Sequence, residues 1–389
     1  MIQVSEALKL IENNSALLPS KKIAVSKSFG YILSEDILAP INMPPFRQSA
    51  MDGYAIVNTT SNEYKLLDEI QAGSHKEIQL NKGEAIRIFT GAFVPDSAES
   101  VVIQEHVTKN ENQIIVEKLP KKGANIRPIG EQVKKGEIVL HKGDEINAAS
   151  IGFLAGMGIT KINVFKKPKV CILATGNELV KPGKKLGVGK IYESNSIMLQ
   201  TALKKVGIKK IKTYRVKDSL EKTKTIIKKC FNDFDIVLIS GGISVGDYDY
   251  VKESLEYNKV EELFYKINQR PGKPLYFGKK ENKVVFALPG NPASSLTCFY
   301  IYVLPALKKM MGFSNIHLSK NKVKITKEIK NTTGKSLFLK AKYENKKIKA
   351  LDGQQSSMLK SFAMSNALIY IPHNKELVKK NEEVEYYKL

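Results

Sequence analysis

Apolar residues change their spacing several times along the chain, and each change marks a different kind of element. Near the start, Val4, Ala7, Leu8 and Ile11 fall on one helical face with Ser5 close to the beginning, so an amphipathic helix is expected. A Pro-rich extended stretch follows at 39–46. Over 54–140, short runs such as Val101-Val102-Ile103 and Ile114-Ile115-Val116 are separated by Gly, Asn and Lys turns, the pattern of a β-rich module. From 167 to 312, buried-strand runs at 170–174, 236–239 and 284–288 alternate with helical stripes. One stripe is Met198, Leu199, Ala202, Leu203 and Val206, ending at Gly207; another is Leu220, Ile226, Ile227 and Cys230. A last helix is expected over 294–311, bent at Pro305. Such alternation predicts βαβ units and a mostly parallel sheet. The tail, 318–389, returns to short strands with turns at 331–334 and Asp352-Gly353, and reads as a small β-barrel or sandwich.

The chain has 389 residues, long enough for two to four domains at roughly 100–200 residues each. The longest apolar stretch, near 296–307, is too short to cross a bilayer, and the N-terminus lacks a signal-peptide core, so no membrane association and a cytoplasmic location are expected. Cys171, Cys230 and Cys298 sit in apolar segments with no CxxC spacing and read as buried structural thiols. The formal net charge is +23. Its lysines are scattered, with no basic arm or aromatic ladder, so nucleic-acid binding is not expected; the charge still favours anionic substrates. Five dispersed histidines fit neither a metal-ligand spacing nor a hydrolytic triad.

In an open α/β sheet, ligands bind beyond the carboxyl ends of the strands. Three strand ends carry Gly and polar groups: Thr175-Gly176-Asn177-Glu178-Leu179, the stretch 240–249 with Gly241, Gly242, Ser244, Asp247 and Asp249, and Pro289-Gly290-Asn291-Pro292. The glycines let backbone N–H groups approach a phosphate, and the carboxylates Glu178, Asp247 and Asp249 suit Mg²⁺. Asp218, in Asp218-Ser219-Leu220-Glu221, fits a helix-capping pattern as well as a functional one, and Asn195 has the same ambiguity. Arg270 and Lys273, in a loop stiffened by Pro271 and Pro274, are a candidate anion holder. Asp52-Gly53, after Met51, reads only as a turn.

In this order, the segments resemble the molybdopterin molybdenumtransferase family nearly end to end. SAMDGYA at 49–55, Thr90–Ala92 with Gln104-Glu105, 125–127 with Gly130-Glu131, TGNEL at 175–179, 240–249, PGKP at 271–274 and LPGNP at 288–292 match its motifs. The resemblance implies a multidomain α/β plus β protein: a linker domain of 1–40 with 141–166, a β-rich module of 41–140, an α/β molybdopterin-binding domain of 167–314 and a C-terminal β domain of 315–389. It implies a homodimer, and molybdopterin synthase and molybdopterin adenylyltransferase as pathway partners. The implied reaction inserts molybdate into adenylylated molybdopterin with Mg²⁺ help and release of AMP. By matching position, Glu178 and Asp249 hold the metal with Asp247 nearby, and Asp218 and Asn195 orient nucleotide or pterin. Arg270 and Lys273 bind phosphate or molybdate, Gly241, Gly242, Ser244, Pro289 and Pro292 line the substrate, and Ser356 or Ser357 lines a molybdate pocket. Asp52 and Thr90 reach the site from the β module, of the partner subunit. The alternatives are a molybdopterin adenylyltransferase, which lacks the outer domains, and a gephyrin-like scaffold. This chain departs from the family pattern at Arg47-Gln48, Gln132, 97–100 and Lys340, where the family has Asp-Asn, Asp, Gly-Ala-Asp-Ala and a frequent Arg.

Overall fold

The computed structural model describes residues 1–243 and 250–389. It divides into two compact units, one of 1–22, 30–34 and 163–389, the other of 23–29 and 35–162.

The larger unit is built on a six-stranded sheet. Its strands are β1 (Val170–Thr175), β2 (Ile211–Val216), β3 (Ile236–Ser240), β4 (Glu261–Tyr265), β5 (Tyr276–Lys280) and β6 (Lys283–Leu288). The order is β2-β1-β3-β6-β5-β4. The first four strands are parallel. The last two are antiparallel, an edge the apolar periodicity did not reveal. Helices α1 (Asn195–Lys205), α2 (Leu220–Asp233) and α3 (Tyr250–Tyr257) cross over between strands. Successive residues of a strand point to opposite faces, so both faces carry a core. Val170 and Ile172 pack with Leu199 and Leu203 of α1 on one side, and Cys171 and Leu173 pack with Ile227 of α2 and Leu255 of α3 on the other. This two-sided burial is why β1 and β3 read as continuous apolar runs.

The N-terminal helix, Val4–Asn14, places its buried Val4, Ala7 and Ile11 in the first of these cores, beside Ile267 and Met310. One expectation needs correction. The helix expected over 294–311 is not a simple Pro-bent helix. It runs as α4 (Pro292–Cys298), a π-helical stretch at Phe299–Val303 and a second α-helical segment at Leu304–Met310. Pro305 has no N–H to donate to the preceding turn, and the wider π turn lies just ahead of it.

The C-terminal strands close on themselves. β7 (Lys320–Ile325), β8 (Ser336–Glu344), β9 (Lys347–Ala350), β10 (Ala367–Ile371) and β11 (Glu383–Lys388) pair in the ring β8-β9-β7-β11-β10-β8. Closure removes free edges and encloses a core of Val323, Ile325, Ala341, Ile348 and Ile369.

The smaller unit holds its own six-stranded sheet, in which Ser100–Ile103 forms one edge beside Gly53–Ile56 and then Glu84–Ile88. Alternation again gives two faces, Ala55 and Ile86 on one and Tyr54 and Ile56 on the other. Two departures from the family pattern meet here. The Arg47 guanidinium donates to the carbonyls of Pro95, Asp96 and Ala98 at 2.8, 2.9 and 2.6 Å, so it ties down the altered 97–100 stretch. Among the described residues, no helix is long and apolar enough to cross a membrane.

Candidate active site

The carboxyl ends of β1, β3 and β6 open onto one cavity of about 770 Å³. Glu178 borders it from the loop after β1, Gly241 and Gly242 from the loop after β3, and Pro289 and Pro292 from the loop after β6. Asp218, after β2, and Asn195, at the start of α1, border it too. The topology thus gathers four strand ends at one place, as the switch of strand order in an open parallel sheet requires.

The loop after β3 needs its glycines for two reasons. Gly241 and Gly242 have φ of +88° and +63°, in the left-handed region. A Cβ on Gly241 would lie 2.8 Å from the Thr175 carbonyl oxygen, and one on Gly242 would lie 2.7 Å from the Thr175 hydroxyl. The chain passes so close to the end of β1 that no side chain fits. Ser244, Asp247 and Asp249, expected on this loop, lie outside the described residues.

Two side chains that fit a capping pattern do not cap. Asp218 does not cap α2: the helix has Ser219 at its N-cap and no side-chain cap bond. The Asp218 carboxylate instead accepts from the Asn177 amide at 3.0 Å, and the Asn177 side chain accepts from the Asp218 amide at 3.3 Å. This reciprocal pair ties the loop after β1 to the loop after β2. Asn195 is not an N-cap either. Its Nδ2 donates to the Ser240 hydroxyl and to the Gly290 carbonyl oxygen, each at 2.8 Å, bridging the loops after β3 and β6. Because a carbonyl can only accept, that contact fixes which end of the amide is nitrogen. The Oδ1 is then left buried with no partner among the described residues, as is the Thr175 hydroxyl.

Glu193, a residue the sequence motifs did not single out, does the capping. It is 2 % exposed and accepts from the Ser196 amide at 2.7 Å, at the start of α1. Arg215 on β2 pairs with it at 3.2 Å. A carboxylate two residues before Asn195 could have been noticed as a helix-start signal, but its burial could not. Glu178, Glu193 and Asp218 all border the cavity, and no Lys or Arg is among the described residues that line it.

The two predicted cations fall outside that lining. Arg270 and Lys273 are exposed, and the loop reaches the cavity only with Pro274. Buried Gln269 holds the inner side of the loop, with its Nε2 donating to the carbonyls of Pro271 and Gly272 at 3.0 and 3.2 Å. Tyr302 donates in turn to the Gln269 Oε1. The tail does reach the cavity. Ser357 lines it, and the Ser356 hydroxyl accepts from Asn291 Nδ2 at 2.9 Å. The Ser356 carbonyl accepts from the amides of Ala293 and Ser294, at the N-terminus of α4, at 3.1 and 3.2 Å.

Asp52 and Thr90 belong to the smaller unit. Gly53 must be glycine, since a Cβ there would run into the Val102 carbonyl of the neighbouring strand. Asp52 is thereby set at the strand end, where its carboxylate accepts from the Thr90 amide at 2.6 Å. That amide, then the Thr90 hydroxyl and, more weakly, the Arg87 charge hold the Asp52 carboxyl below its ordinary pKa. The five histidines form no metal cluster, and among the described residues no group of three or more His, Cys, Asp or Glu is placed to hold a metal ion. All three cysteines are buried and free, with the Cys171 and Cys230 sulfurs 2.9 Å apart.

Comparison with known proteins covers almost the whole chain. Residues 2–158 match the model of the MoeA N-terminal region (domain I and II), 171–309 that of a probable molybdopterin binding domain, and 322–389 that of the MoeA C-terminal region (domain IV). A molybdopterin molybdenumtransferase of Staphylococcus epidermidis is 39% identical over 320 residues, which cover 80% of this chain and 76% of that protein. One from Staphylococcus aureus is 35% identical over 350 residues, 88% and 83% of the two chains. Among solved structures, a molybdopterin biosynthesis MoeA protein from Pyrococcus horikoshii superposes with a TM-score of 0.85 at 30% identity, covering 100% of this chain and 99% of that one.

Proposed function

Because this chain belongs to the molybdopterin molybdenumtransferase family, we propose that it is the enzyme that inserts molybdate into adenylylated molybdopterin and releases AMP. The observation that carries this reading is the single cavity at the strand ends of β1, β2, β3 and β6, where Glu178, Asp218, Asn195 and Ser357 meet.

The charge of that cavity bears on the mechanism. Both substrates are anions, yet the charged groups among the described lining residues are all carboxylates. Anions and carboxylates share a site only if a cation lies between them. The available donors are hard oxygens: the Glu178 and Asp218 carboxylates, the Thr175 hydroxyl and the Asn195 carbonyl, the last two without partners. That set fits Mg²⁺, with Glu178, Asp247 and Asp249 as the residues to hold it. Bound there, Mg²⁺ would stabilise the charge that develops on the departing phosphate. Asn195 and Asp218 orient the nucleotide or pterin. Gly241, Gly242 and Ser244 give the phosphate a close approach to backbone, and Pro289 and Pro292 wall the cleft. Ser356 and Ser357 close the molybdate side. Arg270 and Lys273, exposed beside Pro274, draw the anions in. Asp52 and Thr90 act from a second copy of the chain in a homodimer. The four-part division at about 40, 140, 166 and 314 belongs to the same reading. So do a cytoplasmic location and pathway partners that supply molybdopterin and its adenylate.

The test is direct. Purified protein supplied with adenylylated molybdopterin, molybdate and Mg²⁺ should release AMP and yield a cofactor that activates an apo-molybdoenzyme. Robust adenylylation of bare molybdopterin from ATP, with no insertion, would replace this reading with that of the adenylyltransferase.

A further inference from the structure

Lys340 lies on β8 and is 1 % exposed. A buried lysine is costly unless its ammonium is satisfied, and no carboxylate pairs with it among the described residues. Its Nζ instead donates to three carbonyl oxygens of one loop: Gly353 at 2.7 Å, Met358 at 3.0 Å and Gln355 at 3.2 Å. An ammonium has three N–H groups, so every donor is used and none remains for an anion. The rest of the loop is anchored as tightly. The Lys340 amide donates to Gln354 Oε1 at 3.0 Å, and Gln354 Nε2 returns a bond to the Lys340 carbonyl at 2.9 Å. The Ser361 hydroxyl adds donations to the carbonyls of Gly353 and Met358 at 2.7 and 3.1 Å.

The loop between these anchors carries Ser356 and Ser357. Its Ser356 carbonyl meets the Ala293 and Ser294 amides, its Ser356 hydroxyl meets Asn291, and Ser357 lines the cavity. We propose that Lys340 is a positioning residue: its ammonium gathers the carbonyls of Gly353, Gln355 and Met358 and so fixes the loop that sets Ser356 and Ser357 against the cleft. A lysine suits this task because it is a compact point charge that can face three converging carbonyls. The planar fork of an arginine cannot do so in the same space. In this chain, then, the residue at the end of the Phe338-Leu339-Lys340 run serves the cleft through the loop rather than by touching the anion.

The inference rests on the molybdate-insertion reading for its kinetic readout but not for its structural one. Lys340→Met keeps the unbranched side chain out to its fourth heavy atom and removes the ammonium donors. Hydrogen exchange at the Ala293 and Ser294 amides should accelerate at least tenfold, while amides of β10 and β11 keep their protection. In the insertion assay, KM for molybdate should rise about tenfold with kcat within twofold. Ser361→Ala, a milder change that removes only the hydroxyl donations, should move both readouts the same way by a smaller factor, and it serves if Lys340→Met does not fold. Unchanged exchange at Ala293 and Ser294 in a folded variant would overturn the proposal. So would a fall in kcat with KM and exchange intact, which would make Lys340 an actor in the chemistry. Absence of insertion by the unmodified protein would sink the functional reading alone, and exchange would still decide the role of Lys340.

Discussion

Lys340 on the barrel wall and two polar atoms at the floor of the cleft are treated in opposite ways, although, among the described residues, the barrel also keeps orphan hydroxyls on Thr326 and Ser336. At the barrel, Lys340 uses all three of its donors on carbonyls of the same chain. At the cleft, the Thr175 hydroxyl and Asn195 Oδ1 are buried and have no partner among the described residues. An unsatisfied buried polar group costs about 1–3 kcal/mol, so a fold keeps one only where something else meets it or where its strain is used. Saturated polar groups mark architecture, and unsaturated ones at a cavity mark where a ligand belongs. The Asp52–Thr90 pair lies between the two cases: it is hydrogen-bonded but exposed.

Three experiments sharpen this contrast. The largest effect is expected from Glu178→Gln, which removes a carboxylate at the cavity without emptying a core, since Glu178 is exposed. Insertion should fall by roughly 10²–10³-fold if that charge holds the cation, as removal of one electrostatic group at a reacting centre typically does. Far-UV circular dichroism and the melting temperature should stay put, and full activity in the variant would dissociate the cleft from the chemistry. A smaller and more discriminating effect belongs to Thr175→Val, in which a near-isosteric methyl replaces the unpartnered hydroxyl. Without ligand, the urea midpoint should hold or rise by the equivalent of about 1 kcal/mol, because an orphan has been removed. Substrate KM should rise several-fold. A variant that loses stability in the apo state would show that the hydroxyl already has a structural partner.

The smallest effect concerns Asp52. Its folded pKa lies below the ordinary value, so the stability its hydrogen bonds give is present above the usual Asp range and lost as pH falls through the folded pKa. A ¹³C-detected carboxylate titration should place Asp52 below an aspartate in an unstructured peptide, and Thr90→Ala should bring the two closer. Coincident titrations in the unmodified protein would remove the case for a preset carboxylate on the smaller unit.

Much of this molecule can be read from the order of its residues. Runs buried on both faces, such as 170–174 and 236–239, announce parallel strands because no polar residue is tolerated on either side of them. Positive-φ glycines such as Gly241 and Gly242 are legible because no other residue enters that conformation cheaply. The strand ends that border the cavity follow from these two facts and from the rule that ligands bind at the carboxyl edge. The antiparallel edge of β4 and β5 was not legible, since Tyr276, Phe277 and Gly278 are buried by neighbours the periodicity does not name. The N-terminal helix announced its apolar face but not the core that face would join.

Which atoms were free and which were taken was decided only by tertiary structure. Sequence assigns Asp218 and Asn195 to capping or to function with equal ease, because both roles need the same short polar side chain after a strand. Hydrogen-bond partners from segments 41 and 95 positions away remove the capping role, Asn177 for Asp218 and Gly290 for Asn195. The same holds for the cations. Charge is written in the sequence, but whether a lysine faces an anion or three carbonyls depends on how the barrel closes, and closure is a property of pairings between distant strands.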